Sequence, residues 1–548
     1  MDVTAASLPR LLPWILHQIS RSSFVAIDLE FSGISIVPTS EAKGNLPLQE
    51  QYLKMKAAAE KYQVLQIGLT ICEEDVKNAT YTMAPYNITL SPFIDRTLDI
   101  KRDWTFMSWS MEFLMGHNFS MDSLCKYGVR YLSRDEEAES VAKARHRFTR
   151  KNSIATLELT ETDKESIDFL GAVRRIIDWW LAQPARDRMG YLNIPSHTYA
   201  KSPSAMGPGV PSILNSMEKR LVHNLVNAEF PQLKSKGKAS FIQIMFADPV
   251  HDKDINEEKA QALIETIRGH VGCRWIIEAL IGGDLSELPD KTFSPIVGDG
   301  VPFGEVELAQ KTRERLQKHR PILVGHNCFL DLLFLYSGFI GPLPDTVEEF
   351  QMLIHGLFPN VVDTKYLATS NAGSINPTSS LEEISRRLLR VSVPAIAIDP
   401  MHQKYAFRTF HHEAGYDSML SAIPFMKLSV QLEKGQTKLG AQGCLSGMEL
   451  AVASEVSQVQ QVERWMRQIL KQDEDATSQE MEDLDLIEFS DDENPKPKQP
   501  KPAQKRSAKV VAKTRTRDLV PELGTEFWRV YGNKLRVFGT VERVVHLD

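Results

Sequence analysis

The run FVAIDLEF, residues 24–31, limits the architecture of this chain more than any other stretch. Its first four residues are apolar, as in a strand buried in the middle of a sheet, yet Asp28 and Glu30 follow at once and Gly33 closes the segment. In an extended strand residues two apart share a face, so the two carboxylates project together while Ile27 and Leu29 point the other way. Such neighbours repel unless a cation lies between them or a lysine or arginine neutralises one. Taken alone, Asp-x-Glu fits a structural ion pair better than a site.

Two further clusters change that balance. PILVGHNCFLD ends an apolar strand in His326 and Asn327 and puts Asp331 at a helix start, among Phe329, Leu330, Leu332 and Leu333. HEAGYDSML sets His412 five residues before Asp417, again at a helix start, where a capping acid beside an incidental imidazole is the bland alternative. Four hard oxygen donors and one histidine suit Mg2+ or Mn2+ better than zinc. Two such ions, about 3.5–4 Å apart, stabilise the attacking and leaving oxygens of an in-line displacement at phosphorus. A neutral imidazole nearby can take the proton of the attacking water. The expected reaction is phosphodiester hydrolysis.

With 548 residues, 42% of them hydrophobic and 25% charged, the chain has room for two or three soluble globular domains. Its net charge of −7 excludes a strongly basic nucleic-acid coater. Cys72, Cys125, Cys273, Cys328 and Cys444 are scattered without zinc spacing and point to a reducing compartment, nucleus or cytoplasm. Residues 1–21 read as an amphipathic helix interrupted by Pro9 and Pro13, and no window reaches the roughly 18–20 apolar residues of a membrane span, so a soluble chain with no membrane partner is expected.

Alternating strand and helix patterns predict an α/β protein with a mixed central sheet flanked by helices. Residues 1–165 and 251–432 are expected to build it, with 166–250 as a small inserted α/β domain in which Ile167, Leu170, Val173, Ile177 and Trp180 share a helix face. The stretch SHTYAKSPSAMGPGVPS inside that insertion reads as a loop. Residues 433–520 carry an acidic run, with Ser490 before Asp491, Asp492 and Glu493 as a candidate phosphorylation site, and then a basic tract that fits a nuclear address, an RNA tether or a solubilising linker. Opposed charge blocks read as a disordered linker. Residues 521–548 regain β-type alternation and, too short to fold alone, should dock on the larger body.

In their order, Asp28-x-Glu30, Asp331 and His412 with Asp417 resemble the motifs of the DEDD exonuclease superfamily in its histidine-containing branch. The surrounding FVAIDLEFSGIS, LVGHNCFLDLLFLY, FPNVVDTKYLA and HEAGYDSML are similar to the poly(A)-specific ribonuclease family, over most of residues 15–432. The resemblance implies an RNase H-like fold and two Mg2+ ions, with Mn2+ as a substitute, held by Asp28, Glu30, Asp331 and Asp417. It makes His412 the general base; His411 competes, and the spacing to Asp417 favours His412. It further implies 3′-to-5′ removal of nucleotides from single-stranded RNA with a free 3′-hydroxyl, at poly(A) or other tails, releasing 5′-nucleotides.

The same resemblance places Phe31, Ser32, Ile34, Asn327, Leu330, Lys365 and Leu381 near the nucleotide. Apolar side chains there can wall a base, Ser32 and Asn327 can hydrogen-bond, and Lys365 can reach a phosphate; each also fits ordinary core or surface packing. The insertion resembles the family's single-strand-binding unit, known by Arg-x-x-x-His. Here Lys219 stands four residues before His223 and Arg220 three before it, a departure from that pattern. A complete RNA-recognition domain after the charged linker is not expected, so cap binding is not implied. Fungal Triman-like and animal piRNA-trimming members act on small RNAs bound to Argonaute proteins, which makes Argonaute a candidate partner. Family members form homodimers, and Trp179 with Trp180 fits either a partner surface or a core. A noncatalytic RNA-binding scaffold on the same fold predicts a lost acid, and all four are present.

Overall fold

The computed structural model describes residues 1–35, 45–149, 163–184, 190–195, 210–296, 305–370, 379–439 and 518–547. The chain divides into two units, Met1–Leu432 with Thr516–Asp548, and Glu433–Arg515. The first holds the sheets and the site.

Its strands, in chain order, are β1 (Asp2–Val3), β2 (Phe24–Phe31), β3 (Val64–Asp75), β4 (Thr80–Thr89), β5 (Tyr191–Ile194), β6 (Leu233–Gly237), β7 (Ile242–Phe246), β8 (Ile322–Gly325), β9 (Val361–Asp363), β10 (Ala395–Ile398), β11 (Lys534–Arg536) and β12 (Val544–His546). Seven of them form one sheet in the order β1-β4-β3-β2-β8-β9, with β10 also on β4. β2, β3 and β4 make an antiparallel meander, whereas β8 runs parallel to β2 and β9 parallel to β8. The result is the expected α/β architecture, a mixed sheet flanked by helices.

β2 divides the core between its two faces, as the period of a strand requires. Val25, Ile27 and Leu29 enter one cluster with Ile15 and Ile19 of helix Leu8–Ile19 and with Leu332 and Leu333 of helix Phe329–Leu335. Phe24 and Ala26 enter another with Phe425 and Met426 of helix Ala414–Leu439. Phe24 meets Phe425 edge-on, ring centres 4.8 Å apart. Asp28 and Glu30 continue this second face toward the start of the same helix, whose first turn carries Asp417.

β5, β7 and β6 form a separate antiparallel sheet that shares a core with helices Lys164–Ala182 and Ser216–Glu229. In the first of these helices Phe169, Ala172, Val173, Ile176, Ile177 and Trp180 are buried. Ile167 is exposed, contrary to the periodicity, because it lies in the first turn, ahead of the packed stretch. Trp179 is likewise exposed beside buried Trp180.

The C-terminal segment packs within the first unit. Leu519, Val520, Phe527 and Tyr531 join the cluster beneath helix Ala414–Leu439, and Leu535, Val537, Val545 and Leu547 join the other. The wholly β-type expectation for 521–548 is corrected: Glu526–Tyr531 is a helix, since Phe527 and Tyr531, four apart, both turn inward. Among the described residues there, only β11 and β12, an antiparallel pair, are strands. The linker expected over 433–520 is also too wide. The helix from Ala414 runs to Leu439 and Leu519 is already buried, while residues 440–517, with Ser490 and the basic tract, lie outside the described residues. So does most of the Ser/Pro/Gly-rich loop, residues 196–209. Among the described residues no helix is long and apolar enough to cross a membrane, and Cys72, Cys125, Cys273 and Cys328 are free thiols.

Candidate active site

Three segments meet at the end of β2. On one side β3 pairs Gly68 with Asp28 and Gln66 with Glu30, and the register then slips between Glu30 and Phe31. Such a bulge re-aims the residue after it; the Phe31 ring stacks on Phe334 at 4.0 Å. On the other side the ladder with β8 ends at Ala26 and Val324. The Leu29 amide, beyond that ladder, donates to Asp331 Oδ1 at 3.1 Å. This bond fastens helix Phe329–Leu335 to the strand and brings Asp331 to the two strand acids.

The turn leading to that helix is tight. A Cβ on Gly325 would lie 2.4 Å from Cys328 Cβ, and Asn327 adopts a φ of 58°. Asp363, at the end of β9, holds the turn. Its Oδ1 accepts from the Asn327 and Lys365 amides and its Oδ2 from the Arg536 amide, each at 2.8 Å. Burial pushes the Asp363 carboxyl up to about 6, against the pull of these donors. Asp363→Ala should therefore lower stability by on the order of 3 kcal/mol, because three amides lose their acceptor at once. Urea unfolding would show this as a lower midpoint, and Asp363→Asn, which keeps one oxygen, should lose less.

The third segment carries His412 and Asp417. Gly68 seats the start of helix Ala414–Leu439 directly on β3, and Thr70 Oγ1 hydrogen-bonds Ser418 Oγ at 2.8 Å. His412 has a φ of 58°, a left-handed conformation that a non-glycine residue adopts only when its surroundings impose it. They do so here. The ring packs against the touching rings of Phe113 and His117, centres 4.6 and 4.4 Å away, and the next carboxylate, Glu413, is held by Lys404 Nζ at 2.7 Å and by the Tyr405 hydroxyl. His411 turns elsewhere, with Nδ1 3.3 Å from Glu382 Oε2.

Glu30, His412 and Asp417 offer ligand atoms that all lie within 4.8 Å of one another. Burial, then the negative charges of Asp417 and Asp331, hold Asp28 and Glu30 well above the usual carboxylate range. Burial likewise raises Asp331 and Asp417 to about 7. No lysine or arginine pairs with any of the four among the described residues. An oxygen-rich, uncompensated cluster of this kind fits hard divalent cations. Burial, with His117 and His411, lowers His412 below its ordinary value, so its imidazole is neutral at physiological pH.

The nucleotide candidates fall into two groups. Ser32 is fully buried, its hydroxyl donating to Thr105 O at 2.6 Å and accepting from the Gln63 amide at 2.9 Å. Lys365 is buried too, its ammonium donating to Ser379 O at 2.6 Å. These two polar groups are engaged within the protein. Ile34 and Asn327 are exposed, and Phe31, Leu330 and Leu381 are half-buried. In the small sheet unit, Lys219 donates to Ala239 O at 2.6 Å and His223 bonds the Ser235 hydroxyl at 2.7 Å. Phe113, His117, Asp363 and Glu413 are site residues that sequence reasoning passed over. Phe113 and His117 are four apart across a helix end, a spacing that signals a shared face.

Four acids and a neutral histidine, brought from three distant segments to the end of a mixed sheet, define an α/β hydrolytic enzyme. The chain belongs to the CAF1 family of ribonucleases, whose family model matches residues 3–425. It is 25% identical over 446 residues to the uncharacterized protein C29A10.09c of Schizosaccharomyces pombe, covering 78% of this chain and 92% of that one. Identity to the poly(A)-specific ribonuclease PARN of Arabidopsis thaliana is 24%, over 77% of this chain and 62% of the relative, less than two thirds of its length. Identity to the pre-piRNA 3′-exonuclease trimmer of Bombyx mori is 26%, over 78% and 71%. A solved structure of S. pombe Pop2p in its Mg2+ and Mn2+ bound form covers 78% of this chain and 90% of its own at 13% identity, and its TM-score of 0.33 is too low to bear on the fold.

Proposed function

We propose that this chain is a 3′-to-5′ exoribonuclease acting on single-stranded RNA tails, with two divalent cations, Mg2+ or Mn2+, held by Asp28, Glu30, Asp331 and Asp417. The observation that carries this reading is the convergence of these acids, uncompensated by any basic side chain among the described residues, around a neutral histidine. Two such ions, when bound, supply Lewis-acid activation of water and stabilisation of the leaving oxygen. The chain supplies the rest. The four carboxylates, driven toward protonation first by burial and then by neighbouring negative charge, return to the anionic state when a cation balances them. His412, packed against Phe113 and His117, presents a neutral imidazole to accept a proton from the attacking water.

The relatives named for poly(A)-specific ribonuclease activity support adenylate tails as the substrate. The silkworm trimmer, of which the alignment spans a larger share than of the plant enzyme, supports a second reading, trimming of Argonaute-bound small RNAs. Naked oligo(A), mixed-sequence RNA and Argonaute-bound RNA, each 5′-labelled and incubated with Mg2+, separate these. Preference for free oligo(A) supports the first, selective shortening of the bound RNA the second, and shortening of none defeats both.

The pH profile tests the base. His412 acts as an acceptor only when unprotonated, and its pKa lies below the ordinary 6.5. Activity should hold to below that pH and then fall, and His412→Gln should lower kcat by about 10²- to 10⁴-fold. An acid limb that is the same in wild type and in His412→Gln would remove His412 from this role.

A further inference from the structure

We infer that the C-terminal turn holding Arg536 and Phe538 forms a nucleotide subsite of the same cleft, the Phe538 ring stacking on a base and the Arg536 guanidinium meeting an adjoining phosphate. This deepens the exoribonuclease reading and rests on it. Both residues lie beyond 425, where the family match ends.

The turn is built into the frame of the site. Leu535 and Val537 are buried in the core that contains β2, and the Arg536 amide shares the Asp363 carboxylate with the amides of Asn327 and Lys365. One acidic side chain thus fixes this turn, the turn ahead of Asp331 and the start of the segment bearing Lys365. On its other flank the turn is laced to the connection after β2: the Leu46 amide donates to Gly539 O at 2.8 Å and the Val541 amide to Leu46 O at 2.9 Å. The turn therefore stands beside Asn327, a nucleotide candidate whose amide shares the Asp363 carboxylate with that of Arg536.

A single exposed phenylalanine is ordinary. Two features set this one apart. Its turn is fixed, with Gly539 at a φ of 73° and the Thr540 hydroxyl donating to Val537 O and accepting from the Arg543 amide, both at 2.9 Å. Its ring, on a residue 44% exposed, also has two cations near it, the Arg536 guanidinium at 5.5 Å and Lys365 Nζ at 5.8 Å from its centre. Arg536 forms no ion pair among the described residues. A rigid aromatic face beside an unpaired guanidinium is the pairing that proteins use on single strands, the ring stacking on any base and the cation neutralising phosphate. Asp363, the acid beside them, is buried and engaged by three amides, so the charge next to the ring is cationic and suits a polyanion.

The test measures binding of a single-stranded oligo(A) to the full chain in EDTA, where nothing is cleaved, alongside shortening in Mg2+. Phe538→Ala should weaken binding about tenfold, and Phe538→Trp should restore it. Arg536→Gln should lower the slope of log Kd against log salt by about 0.7, the signature of one lost phosphate contact. Melting temperatures should not move, since both side chains point outward and it is the Arg536 backbone that binds Asp363. Binding within twofold of wild type in both Phe538→Ala and Arg536→Gln would overturn the subsite. If binding depends on Phe538 while the wild type shortens no RNA in Mg2+, the subsite stands and the exonuclease reading falls.

Discussion

Asp28→Asn should leave the protein unable to shorten RNA while making its cation-free form more resistant to heat. The two effects have one source. Asp28 sits opposite Gly68 on the charged face of β2, where burial and the charges of Asp417, Asp331 and Glu30 raise its pKa. A carboxylate whose folded pKa is raised contributes its full stability only below the ordinary value near 3.8, and loses it as pH climbs through the folded value. With Asp331 and Asp417 raised from 3.8 to about 7, the cation-free protein should weaken as pH climbs from about 4 to about 8, most steeply between those two pKa values, at about pH 5–6. An amide of the same shape removes one of four mutually repelling charges. The melting temperature in EDTA at pH 8 should rise above that of wild type, and the gap should close toward pH 5. Added Mn2+ should raise the wild-type value by more than that of the variant, since binding stabilises only the form that offers the full ligand set. Activity should fall on the order of 10³-fold or more. A variant that trims RNA normally, or that melts earlier than wild type in EDTA at pH 8, would refute the assignment.

Gly68→Ala should do comparable damage without touching a charged group. A Cβ at this position would lie 1.7 Å from Ala414 O and 2.1 Å from its carbonyl carbon, backbone atoms at the start of the helix that carries Asp417. The contact cannot be relieved by a rotamer. The helix start must move off β3, taking His412 and Asp417 with it, and a displacement of about 1 Å in a catalytic group costs on the order of 10²-fold in rate. Overpacking of this kind also lowers stability by about 1–3 kcal/mol or more. Gly171→Ala is the matched control. It lies within helix Lys164–Ala182, where the nearest atom to its Cβ would be Arg175 Nη1 at 3.6 Å, so it should be neutral or stabilising by up to about 1 kcal/mol. Urea midpoints and single-turnover rates for the pair would check both. Equal behaviour of the two variants would mean that the approach of helix to strand does not set the site.

The carboxylates could be read from the chain because a buried strand rarely tolerates charge, and because two-residue spacing decides which side chains share a face. The mixed sheet was legible for the same reason, since apolar runs bounded by turn residues mark its strands. The supports of the site were not. Asp363 ends a two-valine run before Thr364 and looks like any helix-capping acid; its importance depends on amides from Asn327 and Arg536, distant along the chain. Gly68 is one small residue inside an apolar strand until its pairing with Asp28 is known. The polar chemistry of Ser32 and Lys365 could be foreseen, but not their engagement by the Thr105 and Ser379 carbonyls. Helix Glu526–Tyr531 has only six residues, too few to show a period among aromatic residues that also favour strands.

The tail has one more consequence, for solubility. β9 is the last strand on its side of the sheet, and an uncovered rim of that kind is a template for joining to another molecule. Here Asn533 closes it, its amide donating to Val361 O at 2.8 Å and its side-chain oxygen accepting from the Val361 amide at 2.9 Å. A form of this protein cut before residue 518 would bare that rim together with the apolar ground under Leu535 and Val537, and would be a sticky, self-associating body before it was a slower catalyst.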